Sequence, residues 1–447
     1  MKLTIIGGGG FRVPQIFEAL SAGDDRASVT ELCLYDISAS RLNTIQAVLT
    51  EMADTLLRPP LVTLTTDLGA AVSGAKFVFS AMRIGGLEGR ISDERIALDL
   101  GVLGQETVGP GGLAYGLRTL PHARRLAEQV ALLAPEAWVI NFTNPAGMVT
   151  EAMRAALGDR VIGICDTPIG LMRRAVHAIG STPEAVDFDY VGLNHLGWLR
   201  RISVDGEDRL PGLLANDEAL MGIEEARLMG LDWVRALGAI PNEYLFYYYF
   251  QREATKRIRS SAETRGEFLL EQQSRFYAGA GEHPESAFSL WNQTKHDRES
   301  SYMAESRPEE ERDNREQSDI DGGGYQTVAL DLMAALTDGQ PSTMILNVAN
   351  RGAVPELPDD AVIEIPCTVD GSGVAPHRIA PVEGDMLGLM QQVKAAERLT
   401  IEASAQRDPI LAWRAIASHP LVDSIGVARR LFDTYRAEIP GVQAAFE

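Results

Sequence analysis

Cysteine is scarce in this chain: its 447 residues include only Cys33, Cys165 and Cys367. An odd and sparse set does not staple a disulfide scaffold, and it predicts a reducing, cytoplasmic setting. Positive charge is also short, with 41 lysines and arginines against 62 acids and a formal net charge of −21. That balance excludes the basic footprint of a nucleic-acid or anionic-membrane binder. It leaves a small anionic substrate open, because a few arginines can reverse the field inside one cleft. No apolar run approaches the ~20 residues of a membrane span. The first residues already read as a strand, without the charged and apolar regions of a signal peptide, so none is expected. The 45% hydrophobic content is enough for sizeable cores. The length predicts two or three domains at ~150 residues each.

The opening segment, Lys2-Leu3-Thr4-Ile5-Ile6, is a strand that runs into Gly7, Gly8, Gly9 and Gly10. A strand, a glycine turn and a helix place backbone N–H groups where a pyrophosphate can sit. A second strand over 31–36 ends in Asp36, an acid placed for the ribose hydroxyls of NAD. The fingerprint is imperfect, because Arg12 stands where a third glycine belongs. Further strands are predicted over 61–65, 76–80, 138–142 and 161–165, with helices between most of them, such as 118–133. The alternation implies a Rossmann-like, doubly wound parallel sheet over residues 1–168.

Residues 169–447 read as an α+β domain. Antiparallel strands are expected over 187–193 and 197–204, then helices over 216–236 and 265–277. The charged stretch 305–324 reads as a loop or surface insertion; strands follow over 343–348 and 361–369, and a helix over 386–404.

Short motifs punctuate the whole length. They are Gly85-Gly86-Leu87-Glu88, Gly104-Gln105-Glu106-Thr107, Asn141-Phe142-Thr143-Asn144-Pro145-Ala146, Cys165-Asp166 and Asn194-His195. Pro241-Asn242-Glu243-Tyr244, Thr264-Arg265 and Asn347-Val348-Ala349-Asn350-Arg351-Gly352 complete the series. In this order they resemble the NAD- and manganese-dependent glycosidases of glycoside hydrolase family 4, closest to the 6-phospho-β-glucosidase branch. The resemblance implies a lactate/malate-dehydrogenase-like C-terminal domain, NAD and a divalent metal, Mn2+, as cofactors, a phosphorylated glycoside as substrate and a homodimer or homotetramer. It also implies hydrolysis by oxidation at C3 of the sugar, deprotonation at C2, elimination of the aglycone, water addition and re-reduction.

The same resemblance assigns residues. Cys165 and His195 would hold the metal, a pairing that suits a borderline or soft divalent cation. Tyr244 would be the base at C2, which needs help because a free phenol has a pKa of ~10. Asp166 matches a proton donor of the α-glucoside branch, where Cys-Asp occurs, although the surrounding motifs look β. Arg90, Asn144 and Arg265 match substrate contacts, Arg265 on the phosphate side. Plainer readings stand beside these. Cys165 also fits a buried small hydrophobe, and His195 a core histidine. Tyr244 opens an aromatic run, Phe246 to Phe250, of the kind that fills cores. Asp166 also fits a hydrogen-bonding support for the metal site. Arg83, Arg90 and Arg95 lie among acids, as on a solvated face. Arg12 fits either the cofactor pyrophosphate or an anion pocket. The rival functions are an α-linked or non-phosphorylated glycosidase of the same family, an NAD-dependent hydroxy-acid dehydrogenase, and a non-catalytic NAD-binding regulator.

Overall fold

The computed structural model describes residues 1–21, 29–54, 58–304 and 324–447. Six parallel strands open the chain: β1 (Lys2–Ile6), β2 (Glu31–Tyr35), β3 (Leu61–Thr65), β4 (Phe77–Ser80), β5 (Trp138–Asn141) and β6 (Val161–Gly163). They lie in the order β3-β2-β1-β4-β5-β6, the doubly wound arrangement expected from the alternating pattern. The inner strands are nearly all apolar because helices cover both faces; all four residues of β4 are buried. The order reverses between β1 and β4, so a crevice opens beyond their carboxyl ends.

Antiparallel strands then extend the same sheet. They are β7 (Val186–Leu193), β8 (Leu196–Val204), β9 (Glu207–Asp208), β10 (Ile240–Pro241), β11 (Ser342–Ala349), β12 (Val362–Asp370) and β13 (Gly373–Pro376). Strand β11 joins β6 antiparallel through Asn347 and Gly163, and β12 carries β7, β8 and β10 outward. The turn between β7 and β8 therefore lies near the end of the parallel half. The long helix Gly384–Gln406 packs on the helix Gly109–Leu133 and closes a second core.

One expectation about helices gains detail and another needs correction. The helices expected over 216–236 are three short ones, Asp217–Met221, Glu224–Met229 and Leu231–Leu237. Gly222 and Gly230 end the first two, and Gly230 has φ 83, which a helix cannot continue. Conversely, the helix expected at 118 starts at Gly109, with Pro110 in its first turn. Gly109 turns the chain into the helix with φ 69, whereas Gly111 packs: a Cβ on it would lie 2.3 Å from the Gln105 carbonyl. The charged stretch 305–323 lies outside the described residues. Among the described residues, no helix is long and apolar enough to cross a membrane.

Candidate active site

One cleft spans the crevice at the strand-order reversal. It gathers residues from most of the chain. Gly7 and Gly10 line it at one end, and Arg90, Asn144, Cys165, Asp166, His195, Tyr244 and Arg265 line it farther in. Gly8, Gly9 and Asp36 do not line it. They form the back of the turn, where Gly8 packs against Leu34 and Asp36 accepts the Gly9 N–H at 3.1 Å and the Ser38 N–H at 3.0 Å. Gly7 has φ 90 and lies against the Ala81 carbonyl, where a Cβ would come within 2.6 Å. The N–H groups of Gly7 and Gly8 are held by the Tyr35 carbonyl and that of Gly10 by the Gly7 carbonyl, so the turn is tight and, without side chains, lets a ligand approach its backbone closely.

Cys165 follows β6 in the short link to the helix Thr167–Ala178. Its thiol is buried and lies 3.3 Å from the Thr167 hydroxyl and 4.0 Å from Asp166 Oδ1. Burial, then the charges of Glu364 and Asp166, push the thiol well up. Asp166 precedes the helix but its carboxylate caps no N–H, which leaves it facing the cleft.

His195 sits in the two-residue turn between β7 and β8 with φ 63. A β-carbon residue in that conformation is costly and concentrates at functional sites. Its Nδ1 lies 2.9 Å from the Thr107 hydroxyl. Burial pushes the imidazole down to about 3, so it is neutral, the form that ligates metals. Tyr244 stacks on it face to face, ring centroids 3.7 Å apart and 4° from parallel. The aromatic run after Tyr244 is core as its composition suggests, with Phe246 and Tyr247 buried, while Tyr244 is the member at the cleft. Burial first, then Glu243, push the Tyr244 phenol up.

A divalent cation fits these donors. A thiol and a neutral imidazole share the cleft with the carboxyl group of Asp166. Asn144 Oδ1, buried at the same cleft, has no hydrogen-bond partner among the described residues. No group of three or more His, Cys, Asp or Glu side chains among the described residues closes around an ion. Two protein donors leave coordination positions open for a substrate.

The arginines divide into two kinds. Arg90 is tied down, its Nε 2.7 Å from Glu94 and its Nη1 2.7 Å from Glu106, while Arg83 also pairs with Glu106. Arg265 donates to the Ser301 hydroxyl at 2.8 Å and the Arg298 carbonyl at 2.9 Å. Arg12 and Arg298 also line the cleft and form no ion pair among the described residues. The Arg12 guanidinium lies 5.1 Å from the Tyr325 ring and 5.4 Å from Phe142. Burial, then the like charges of Arg12 and Arg265, push Arg298 well down, so this corner carries surplus positive charge.

Arg298, Tyr302 and Tyr325 had no signal in the sequence. Arg298 and Tyr325 lie on helices that fold back over the glycine turn, and Tyr302 in the turn after the first of them; Trp291 Nε1 donates to the Phe11 carbonyl at 2.9 Å and the Tyr325 hydroxyl to the Arg12 carbonyl at 2.7 Å. Thr107 and Asn242 stood inside quoted motifs without a role. Asn242 accepts the Tyr244 N–H at 3.0 Å and donates to Thr167 at 2.8 Å, tying the Tyr244 turn to the Cys165 loop.

Comparison with known proteins fits this geometry. The profile described as "Family 4 glycosyl hydrolase" matches residues 2–181, and that described as "Family 4 glycosyl hydrolase C-terminal domain" matches residues 190–422. The chain is 30% identical to a 6-phospho-beta-glucosidase of Escherichia coli (strain K12), covering 95% of this chain and 92% of that one. It is 29% identical to a 6-phospho-alpha-glucosidase of Leptotrichia buccalis, covering 97% and 96%. The 6-phospho-beta glucosidase of Thermotoga maritima, solved with manganese, NAD+ and glucose-6-phosphate, superposes with TM-score 0.80 at 29% identity over 98% of each chain. At the level of fold alone, a malate dehydrogenase of Plasmodium falciparum superposes with TM-score 0.51 at 12% identity, over 93% of this chain and 99% of that one. The chain belongs to glycoside hydrolase family 4.

Proposed function

We propose that the chain hydrolyses 6-phospho-β-glucosides, with NAD and Mn2+ as cofactors, by oxidation at C3, deprotonation at C2, elimination, water addition and re-reduction. One observation carries this reading: a single cleft joins the glycine turn to Cys165, His195 and Tyr244. When bound, NAD supplies a reversible hydride acceptor for C3, and the cation supplies Lewis acidity at the C2 and C3 oxygens. The chain's own residues do the rest. Gly7 and Gly10 let the cofactor approach the turn at the helix N-terminus closely, and Asp36, behind Gly8 and Gly9, takes the ribose hydroxyls. Cys165 and His195 hold the cation, and Asn144 and Arg90 orient the sugar. Tyr244 takes the C2 proton. Asp166 protonates the leaving oxygen or, through its contact with the Cys165 thiol, steadies that ligand. The division near residue 168 then separates a cofactor-binding part from a part that completes the sugar site.

Arg12, Arg265 and Arg298 supply the charge for the 6-phosphate. Arg12→Gln is expected to raise KM for a phosphorylated substrate ~10–100-fold, the scale of one charge-assisted hydrogen bond. The affinity for NAD should stay within a few-fold. An unchanged KM with weakened NAD binding would place Arg12 on the cofactor instead.

A second reading, cleavage of 6-phospho-α-glucosides, is favoured by Asp166 and by α-acting relatives of nearly equal identity. A panel of phosphorylated and plain α- and β-nitrophenyl glucosides, assayed with NAD and Mn2+, decides between them. The account expects turnover of the phosphorylated β-substrate, dependent on added NAD and without net NADH. Turnover of the α-substrate alone establishes the second reading. NADH accumulating in step with substrate loss would support a dehydrogenase.

A further inference from the structure

Tyr244 is buried among acids, and no cation of the described chain pairs with its hydroxyl. What lies behind it is a hydrogen-bonded path. The Tyr302 hydroxyl donates to Glu243 Oε1 at 2.8 Å and lies 3.3 Å from the Tyr244 hydroxyl. Each hydroxyl has one proton to give. With the Tyr302 proton directed to the shorter contact, Tyr302 receives the Tyr244 proton. The Tyr244 proton then points away from the substrate, which leaves an oxygen lone pair for the cleft. Glu243 itself is 6% exposed and forms no ion pair among the described residues. Its neighbour Arg174 is taken by Glu225, at 3.1 Å from Nε to Oε2, and by Glu224. A buried carboxylate without a counter-ion is costly and marks sites that handle protons.

We propose that Glu243, acting through the Tyr302 hydroxyl, is the final acceptor of the proton that leaves C2. The step balances as a relay. The C2–H bond breaks and its electron pair stays on the sugar, while the proton bonds to the Tyr244 oxygen. The proton originally on Tyr244 moves to the Tyr302 oxygen, and the proton of Tyr302 moves to Glu243 Oε1. Tyr244 begins and ends as a neutral phenol, and only Glu243 changes charge. After water has added, the relay runs backward and returns a proton to C2. Glu243 and Tyr302 are positioning residues acting through Tyr244, and the inference rests on the C2 deprotonation proposed above.

Glu243 must be ionised to accept. Burial, then Glu225 and Glu224, raise its pKa, while Arg174 and the Tyr302 hydroxyl oppose them. Activity is therefore lost as pH falls through that raised value, giving kcat an acid limb.

The test uses the full chain with NAD, Mn2+ and 4-nitrophenyl 6-phospho-β-glucoside. Glu243→Gln still accepts the Tyr302 hydrogen bond but cannot take up a proton. Its kcat should fall ~10²–10⁴-fold with KM within about threefold, the scale of a lost proton acceptor. The acid limb should disappear, and a C2-deuterated substrate should show a large isotope effect. Tyr302→Phe, which keeps the ring and loses one hydroxyl, should show the same loss and decides the matter if Glu243→Gln does not fold. A kcat within about threefold of wild type, with the acid limb intact, overturns the relay. If wild-type enzyme exchanges no C2 proton with solvent, the underlying reaction is wrong, and that result is distinct from a failed relay.

Discussion

Tyr244→Phe is expected to keep the fold and the cofactor yet to release aglycone ~10²–10⁴ times more slowly than wild type. The hydroxyl adds little to stability. Its recorded hydrogen bond is the 3.3 Å contact with Tyr302, and the ring's packing on His195 at 3.7 Å survives the change. Losing one such bond costs about 1 kcal/mol. Oxidation at C3 does not need the base at C2, so hydride still passes to the cofactor. The variant mixed with substrate should thus show enzyme-bound NADH absorbance without matching nitrophenol. Near-normal turnover would remove Tyr244 from the chemistry, and loss of NAD binding would mean that the ring shapes the cofactor site.

Replacing either proposed metal donor should abolish turnover while leaving NAD binding within a few-fold. Cys165→Ser exchanges a soft donor for a hard one at nearly constant shape. At His195 the backbone matters, because φ 63 disfavours most side chains. His195→Asn is the better control, since asparagine tolerates that conformation and alanine adds a backbone cost of ~1–2 kcal/mol. Metal-depleted wild type should be inactive and recover with Mn2+. Neither variant should recover fully at the concentration that restores wild type. Activity in a chelated, metal-free sample would sink the metal role of both residues.

The parallel half was legible because strands buried on both faces are continuous apolar runs, and β1, β2 and β4 show this plainly. The hairpin carrying His195 was legible from alternation. The helical region after residue 216 was legible but its breaks were not, because helix-forming residues surround Gly222 and Gly230, and only local geometry shows that both glycines end a turn. The site divides in the same way. Cys165, His195 and Tyr244 stood in motifs, and the fold brings them to one cleft. Arg298 and Tyr302 did not, because a lone arginine and a lone tyrosine in a charged stretch look like a solvated face. Their position depends on a helix returning to the glycine turn, which the Trp291–Phe11 contact fixes across a separation of 280 residues. Glu243 stood beside Tyr244 in plain view. Its lack of an ion pair could be seen only once Arg174 had been placed against Glu225.

The measurement that tests the central claim most directly is the hydrogen isotope at C2 of the product after hydrolysis in heavy water. The account predicts deuterium at C2, since the abstracted proton passes to exchangeable oxygens before a proton returns, with NAD required and no net NADH formed. A product carrying only the original hydrogen at C2, released at the full rate, would contradict it.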